Sequence, residues 1–424
     1  MFYRILILML SAVLCFCSPK SETSTSDTTP PLENVLILDA GFELNRDMKQ
    51  GSFILHEPLD IAVNANGEII IPDGEILKIH DSAGTYKTIL DFKTSDLSES
   101  PPFGGYNSRM FLPEAYRITV GPLGFICVSG SNIMVDMPAS WHNLISPDYY
   151  HLTYESITEK NNLQKALESL GFKSAYTKIR KIIAISDVEF VYHIDAVKLL
   201  NNVNILVYDI LVYEANTKIQ ILYQNKKTGL LATRNRYFIT DALGTLHFET
   251  PDRNTIVYSH AAYDTQTENS VNKYILHNFD TETMQTKKII KDYQPVDNRS
   301  SRIRDIPLSD FENVSLTEDD SLTITNLRDQ RYRPPIARII ADGRTLFVLT
   351  WTSRNDRKEY LADVFDIADG EYIASVWLPG WMIHTLSRRR SSTIRNGFAW
   401  FLENNPMESP QVQKYRIDPS VYGK

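Results

Sequence analysis

Short apolar runs rich in isoleucine, valine and aromatic residues alternate with tight turns along most of the chain. Residues 60–86, DIAVNANGEIIIPDGEILKIHDSAGTY, illustrate the pattern: DIAV and EIII flank the turn NANG, ILKIHD alternates apolar and polar residues, and SAGTY turns again. Asn-Gly turns between β-rich runs are typical of hairpins. The segment therefore predicts a meander of three or four short strands, which must bury one face against a neighbouring sheet.

The same order of strands and turns recurs downstream. Further units lie at 114–136, 203–231 (without the glycine turn), 236–249 with the strands that follow it, 334–379 and 397–417. Repeated strand–turn units indicate a solenoid, a pair of sandwiches or a propeller. The variable spacing disfavours a solenoid, because stacked repeats need near-constant length. We therefore predict an all-β fold, a six-bladed β-propeller over residues 34–424.

Two segments affect how such a ring closes. Residues 34–44, NVLILDAGFEL, form an isolated strand ahead of the first unit and could complete the last blade. Residues 292–333 contain SLTITN, a strand outside the six units, so seven blades remain possible.

Residues 156–171, SITEKNNLQKALESLG, depart from the strand pattern. Ser156 is a candidate N-cap with Glu159 three residues later, and Gly171 follows the last apolar position, which together predict a helix. We predict an insertion at about 138–185 that carries this one small helix. The helix either fills a gap between blades or contacts a partner.

The first 17 residues, MFYRILILMLSAVLCFC, place Arg4 ahead of a short apolar run. A basic start, a short apolar core and a polar exit predict an export signal, and the run is shorter than the roughly 20 residues that span a bilayer. Cys15 and Cys17 end the run in an arrangement that resembles bacterial lipoprotein signals. We expect lipidation at Cys17, with an ordinary cleaved signal as the alternative. Residues 18–33 are predicted to be a polar flexible tether.

Composition narrows the function classes. A formal net charge of −8 argues against nucleic acid as a partner, because nucleic-acid-binding proteins need a basic face. Cys127 has no cysteine partner in the predicted propeller, so we expect a buried thiol there and no disulfide framework.

The first unit resembles the NHL-type repeat, in which an apolar strand, a turn glycine and spaced isoleucine and aspartate residues recur. The matching positions are Pro58, Gly67, Ile69, Asp73, Ile76, Ile79, Asp81 and Gly84. Residues 363–379, DVFDIADGEYIASVWLP, are similar to the closing strands of exported six-bladed propeller proteins of bacteria, many of them lipoproteins. The resemblance implies the fold and a location in the bacterial cell envelope, membrane-anchored and facing the periplasm or the outside. It implies little about chemistry, because this fold hosts unrelated functions.

Local motifs for catalysis or metal binding are absent from the sequence. In NANG, a calcium-loop alignment would put Ala62 at the first ligand position, so we predict a hairpin turn there. There is no G-x-S-x-G elbow, no H-E-x-x-H pair and no phosphate loop. We therefore predict no catalytic residue, no metal ligand and no cofactor from local motifs.

A ligand site in a propeller is expected around the central channel, where the first strand of each blade begins. Counting back seven residues from the turn glycines gives Asp60, Arg117 and Tyr237, and Arg338 stands at a similar place in a later unit. We predict that these four residues form a channel mouth that binds an anionic or sugar-like ligand. The alternative is that they line a wet channel.

The sequence favours a non-catalytic binding or scaffold protein that engages a protein or glycan on the propeller face, with a lipid anchor as its contact with the membrane. One alternative is a calcium-dependent lactonase or other hydrolase resembling gluconolactonase-like propellers, which need a Glu, Asn and Asp trio at the channel. Another is a structural component of a larger envelope complex, with the 138–185 insertion as its contact.

Overall fold

The chain folds into a ring of six small sheets, with one α-helix among the residues that the structure describes. The structure is a computed structural model, and it describes residues 22–25, 29–43, 58, 60–73, 76–91, 114–132, 139–149, 151–156, 162–172, 178–199, 205–216, 218–233, 236–238, 246–260, 272–297, 332–356, 358–383, 390–403 and 410–424. The predicted all-β, six-bladed propeller is confirmed. Residues 298–331, which include the segment SLTITN considered for a seventh blade, lie outside the described residues.

Two strands, β1 (Glu22–Thr25) and β2 (Leu36–Glu43), precede the first blade. Blade 1 contains β3 (Ala62–Val63), β4 (Ile69–Asp73), β5 (Ile76–His80) and β6 (Tyr86–Asp91). Blade 2 contains β7 (Glu114–Val120), β8 (Ile126–Asn132), β9 (Ala139–Ile145) and β10 (His151–Ser156). Blade 3 follows helix α1 (Asn162–Ser169) and contains β11 (Lys178–Ala184), β12 (Glu189–Leu199), β13 (Ile205–Ala215), β14 (Lys218–Thr233) and β15 (Arg236–Phe238).

The second half of the ring is built in the same way. Blade 4 contains β16 (Leu246–Asp252), β17 (Thr255–His260), β18 (Lys273–Asp280) and β19 (Gln285–Asp292). Blade 5 contains β20 (Ile336–Asp342), β21 (Thr345–Arg354), β22 (Glu359–Asp366) and β23 (Glu371–Pro379). Blade 6 contains β24 (Arg390–Arg395), β25 (Phe398–Glu403) and β26 (Gln411–Ile417), and short 3₁₀ turns lie at Gly380–Met382 and Pro419–Tyr422.

The first strands of the blades surround the centre of the ring. Strand β3 contacts β7 on one side and β24 on the other, β7 contacts β11, and β20 contacts both β16 and β24. Strand β16 of blade 4 also contacts β13 of blade 3, and this contact joins the two blades. Each blade therefore presents the start of its first strand to a shared central channel.

The ring closes through the N-terminal part of the chain. Strand β2 pairs antiparallel with β26, from Leu36 opposite Ile417 to Glu43 opposite Gln411, and supplies the fourth strand of blade 6. This pairing confirms the prediction for the isolated strand at 34–44. A shared strand joins the two ends of the propeller, so blade 6 is completed by residues from both ends.

Parts of the predicted flexible tether, 18–33, are instead paired with the propeller. Strand β1 lies parallel to β19 at the outer edge of blade 4. Leu32 forms a parallel bridge with Val376 in blade 5, donating its backbone N–H to Ser375 at 2.8 Å and accepting one from Trp377 at 3.0 Å. Backbone hydrogen bonds hold these residues in place although their composition is polar. The prediction of a flexible tether was based on composition, which carries no information about backbone pairing.

The insertion between blades 2 and 3 is shorter than the predicted 138–185. Strands β9 and β10 belong to blade 2 and β11 opens blade 3, so only residues 157–177 separate the two blades. Ser156 ends β10 and does not cap the helix, so the predicted capping box is wrong. Gly171 does end the helix as predicted: its φ is +82°, and Phe172 N–H donates to Leu167 O at 3.0 Å.

Helix α1 buries its apolar face against the propeller. Leu163 and Leu167 are each 1% exposed and join a core cluster that includes Leu144 of blade 2 and Ile194 of blade 3. The helix therefore covers the junction between these blades, which matches the gap-filling alternative for its role.

Blades 2 and 3 approach each other most closely at Gly121. A Cβ atom built on this residue would lie 1.8 Å from the backbone oxygen of Ala184. Next to this point, Thr119 Oγ1 donates a hydrogen bond to Ile182 O at 2.5 Å. Only glycine fits this backbone-to-backbone contact.

None of the helices in the described part of the chain is both long and apolar enough to cross a membrane.

Candidate functional site: the central channel ring

Three of the four predicted channel residues lie where the first strands begin. Asp60 precedes β3, Arg117 lies in β7 and Arg338 lies in β20. They share one electrostatic environment, because the charges of Asp60 and Arg117 both act on the pKa of Arg338. The structure therefore brings these three residues together.

Tyr237 does not belong to this group. It lies in β15, opposite Ala232 of β14, at the far end of blade 3 from its first strand. The prediction placed it on the first strand of the next blade, but blade 4 begins at Leu246. Counting from a turn glycine was wrong here because segment 236–249 spans the end of one blade and the start of another.

Two further charged residues complete the group. Lys181 in β11 donates from Nζ to Glu249 Oε1 at 2.6 Å and to Phe248 O at 2.8 Å, both in β16 of blade 4. Burial lowers the pKa of the Lys181 ammonium; Glu249 opposes this, and the nearby Arg338 and Arg117 add to it. We call Asp60, Arg117, Lys181, Glu249 and Arg338 the channel ring.

A signal for Lys181 was present in the sequence. Lys181 is followed by Ile-Ile-Ala, as Arg338 is, and the three residues after Arg117 are Ile-Thr-Val. This polar-then-apolar start of a first strand was hidden because residues 138–185 were assigned to an insertion. Glu249 has no comparable signal, because Thr250 and Pro251 follow it.

Arg338 joins blade 5 to blade 6. Its Nη1 donates to Met382 O at 2.9 Å and to Ser392 Oγ at 2.8 Å, and its Nη2 donates to Ser392 O at 2.6 Å. Burial lowers the pKa of its guanidinium, and the negative charges of Glu249 and Asp60 partly offset that effect. The side chain is therefore oriented by its neighbours.

Asp60 links three blades. Its Oδ1 accepts hydrogen bonds from Ile61 N at 2.9 Å and from the Ser391 hydroxyl of blade 6. Its Oδ2 accepts one from Ile118 N of blade 2 at 3.1 Å. Both carboxylate oxygens are thus engaged by the protein, and the residue helps to hold blades 6, 1 and 2 in register.

The ring carries three cationic and two anionic side chains, on a chain with a net charge of −8. Lys181 and Glu249 are paired, and their side chains are each 23% exposed. Arg117 is exposed. The arrangement places a solvent-accessible cation near two further cations, Lys181 and Arg338, and suits the capture of an anionic group.

At the end of the central channel away from the channel ring lie the turns that join the first and second strands of the blades. In NANG, Asn64 Oδ1 accepts hydrogen bonds from Asn66 N at 3.0 Å and Glu68 N at 2.9 Å, so the predicted hairpin turn is confirmed. Asn396 of blade 6 donates to Ala65 O at 2.9 Å, and its own N–H is accepted by Asp342 of blade 5 at 2.6 Å. The hydrogen bonds of Asn396 thus link blade 6 to its two neighbours, blades 1 and 5.

One buried cluster has the residue types of a metal site. His193, Asp195 and Asp209 in blade 3 place one potential ligand atom each within 4.8 Å of the others. His193 Nε2 lies 2.8 Å from Asp209 Oδ1, and Asp195 accepts a hydrogen bond from Arg180. Asp195 and Asp209 are directly opposite across β12 and β13, and Arg180 and His193 each contact one of these two carboxylates. The donor set is already engaged by protein groups, and the cluster acts as a polar contact within the blade.

Comparisons with known proteins add little beyond the fold. No protein-family model matches the chain, and no curated protein sequence does. Among solved structures, the chain is similar to the Neurospora crassa Pan2 WD40 domain, with 8% identity, a TM-score of 0.38 and coverage of 92% of this chain and 98% of that one. It is similar to a Bacteroides caccae protein of unknown function, with 11% identity, a TM-score of 0.32 and coverage of 76% and 81%. Drosophila Semaphorin 1a extracellular domains 1–2 match with 10% identity, a TM-score of 0.34 and coverage of 91% and 88%.

Proposed function

We propose that this chain is a non-catalytic binding protein, tethered to the bacterial envelope, that engages an anionic group of a protein or glycan partner at the mouth of its central channel. The β-propeller fold commonly mediates protein binding. The observation that carries the proposal is the channel ring, in which the exposed Arg117 lies near two further cations, Lys181 and Arg338, from other blades.

The donor chemistry of the ring favours binding over the lactonase alternative. A calcium-dependent hydrolase needs three oxygen ligands from different blades converging on one cation. Here Glu249 Oε1 is held by Lys181 at 2.6 Å, and both oxygens of Asp60 accept hydrogen bonds from the protein. Cationic nitrogens next to these carboxylates repel a divalent ion and attract an anion.

The binding proposal is tested by reversing the charge of Arg117. We expect the chain to bind acidic oligosaccharides or an oligoglutamate peptide more tightly than neutral oligosaccharides. Arg117→Glu should weaken that binding by about tenfold or more, equivalent to about 1.4 kcal/mol, because an attractive contact becomes a repulsive one. Isothermal titration calorimetry at fixed ionic strength measures the effect.

Arg344→Glu is the matched control. Arg344 lies in the turn between β20 and β21, at the other end of β20 from Arg338 and the channel ring. The Arg344→Glu variant should bind the acidic probe as tightly as the unaltered chain does. Equal binding of neutral and acidic probes, or unchanged binding by Arg117→Glu, would contradict the proposed site.

The tether is proposed from the lipoprotein-type signal ending at Cys17. We expect the full-length chain, expressed in a bacterium, to mature to an acylated N-terminal Cys17 and to fractionate with membranes. Cys17→Ser should abolish acylation and release the protein from the membrane fraction, whereas Cys15→Ser should change neither. Mass spectrometry of the mature N-terminal peptide gives the answer, and a mature N-terminus downstream of residue 17 would refute the tether.

A further inference from the structure

The N-terminal segment runs along the outer rim of three consecutive blades. Strand β1 pairs with β19 of blade 4, Leu32 bridges to Val376 of blade 5, and β2 completes blade 6. We call the described residues within 22–43 the strap. The first described residues of the chain, Glu22–Thr25, therefore lie at the rim of blade 4.

The strap begins close to the proposed lipid anchor. Five residue steps separate Cys17 from Glu22, the first residue of β1. At no more than about 3.6 Å per residue, this stretch spans at most about 18 Å even when fully extended. That is less than the radius of gyration of about 22 Å expected for a folded chain of this size. The anchor thus cannot reach the membrane unless blade 4 lies near it.

The pairing direction identifies the part of blade 4 that comes nearest. Strand β1 is parallel to β19, with Glu22 opposite Lys288 and Thr25 opposite Lys291. Glu22, the end of β1 that is nearer to Cys17 in the chain, therefore lies toward the beginning of β19 and the turn that joins β18 and β19. Met284 in this turn is 49% exposed.

The charges at this end of blade 4 are mixed. Asp280 and Glu282 accept hydrogen bonds from Glu282 N, Thr283 N and Asn254, all neutral donors that leave the carboxylates negative. Lys287, in the neighbouring part of β19, is exposed and positive. The exposed Met284 is the apolar group of this turn that can enter the lipid interface. The placement of the turn therefore depends on the short distance from Cys17 and on the direction of β1.

We infer that the outer edge of blade 4 is the part of the propeller nearest to the membrane that carries its own anchor, with the turn between β18 and β19 of this blade next to the lipid headgroups. The inference rests on the proposed lipidation of Cys17. It places this turn nearer to the lipid than the equivalent turn of blade 1, which lies across the ring.

The test compares two equivalent turns on opposite sides of the ring. In a six-bladed ring, blade 1 lies opposite blade 4, and Ala83 occupies the turn between the third and fourth strands of blade 1 as Met284 does in blade 4. Met284→Cys and Ala83→Cys are each labelled with a fluorophore in the full-length lipidated protein. Cys127, only 1% exposed, is protected from labelling.

The labelled proteins are reconstituted in phosphatidylethanolamine–phosphatidylglycerol vesicles containing a headgroup-linked spin-label quencher. We expect several-fold stronger quenching at position 284 than at position 83. Equal quenching, or stronger quenching at position 83, in protein that mass spectrometry shows to be acylated at Cys17 would overturn the placement of blade 4 alone. Absence of the lipid at Cys17 would overturn both this placement and the proposed tether.

Discussion

Replacing Lys78 with methionine should lower the free energy of unfolding by about 3–5 kcal/mol, because it leaves a carboxylate buried without its cation. Lys78 Nζ lies 2.7 Å from Asp73 Oδ2, and the two side chains are each 1% exposed. Burial makes this ion pair costly to break, since water cannot solvate the charge that remains. Denaturant unfolding followed by tryptophan fluorescence measures the loss.

Two further variants separate a lost ion pair from a lost side chain. Lys78→Met combined with Asp73→Asn should recover much of the stability, because the isolated charge is then removed. Lys87→Met should cost at most about 1 kcal/mol, since the Lys87 side chain is 47% exposed in its pair with Glu68. A double variant as unstable as Lys78→Met would show that packing, and not charge, dominates.

Gly121→Ala should destabilise the junction between blades 2 and 3 by about 3 kcal/mol or more. The added Cβ would lie 1.8 Å from Ala184 O and 2.9 Å from Ala184 C, and neither atom can rotate away because both belong to the backbone. Relief requires the two blades to separate, which would also strain the hydrogen bond from Thr119 to Ile182 O. Differential scanning calorimetry should give a lower transition temperature.

Gly41→Ala is the matched control for this substitution. A Cβ at Gly41 meets nothing within 4 Å, so the change should be neutral or stabilise by less than about 1 kcal/mol. A transition temperature for Gly121→Ala that equals that of Gly41→Ala would mean that the two blades do not make this close contact.

The blade architecture could be predicted because short stretches of neighbouring residues determine each hairpin. Asn-Gly and related turns between β-rich runs specify hairpins, and their recurrence implies a closed ring. The strand at 36–43 was recognisable because its apolar run lacked a neighbour in sequence. Asp73 shows what such local patterns leave out. The sequence placed it at a matching position of the NHL-type resemblance, but its buried ion pair with Lys78 depends on the register between β4 and β5.

The channel ring could be predicted only in part, because it is assembled from residues far apart in sequence. Asp60 and Arg117 were found by their distance from a turn glycine and Arg338 by its similar place in a later unit, whereas the distance rule misplaced Tyr237 where one blade ends and the next begins. Lys181 was missed because a capping-box pattern at Ser156 suggested a longer insertion. That serine ends β10, and a pattern of four residues cannot distinguish a helix cap from a strand end.

The pairing of β2 with β26 also governs when the propeller can become complete. Glu43 is opposite Gln411, so this contact closes a loop of about 370 residues, which costs about 5 kcal/mol of chain entropy. Blade 6 cannot gain its fourth strand until nearly the whole chain is present. During synthesis and folding, β2 is therefore an unpaired edge that must wait for the last strand, and final closure is expected to be slow compared with the formation of each hairpin.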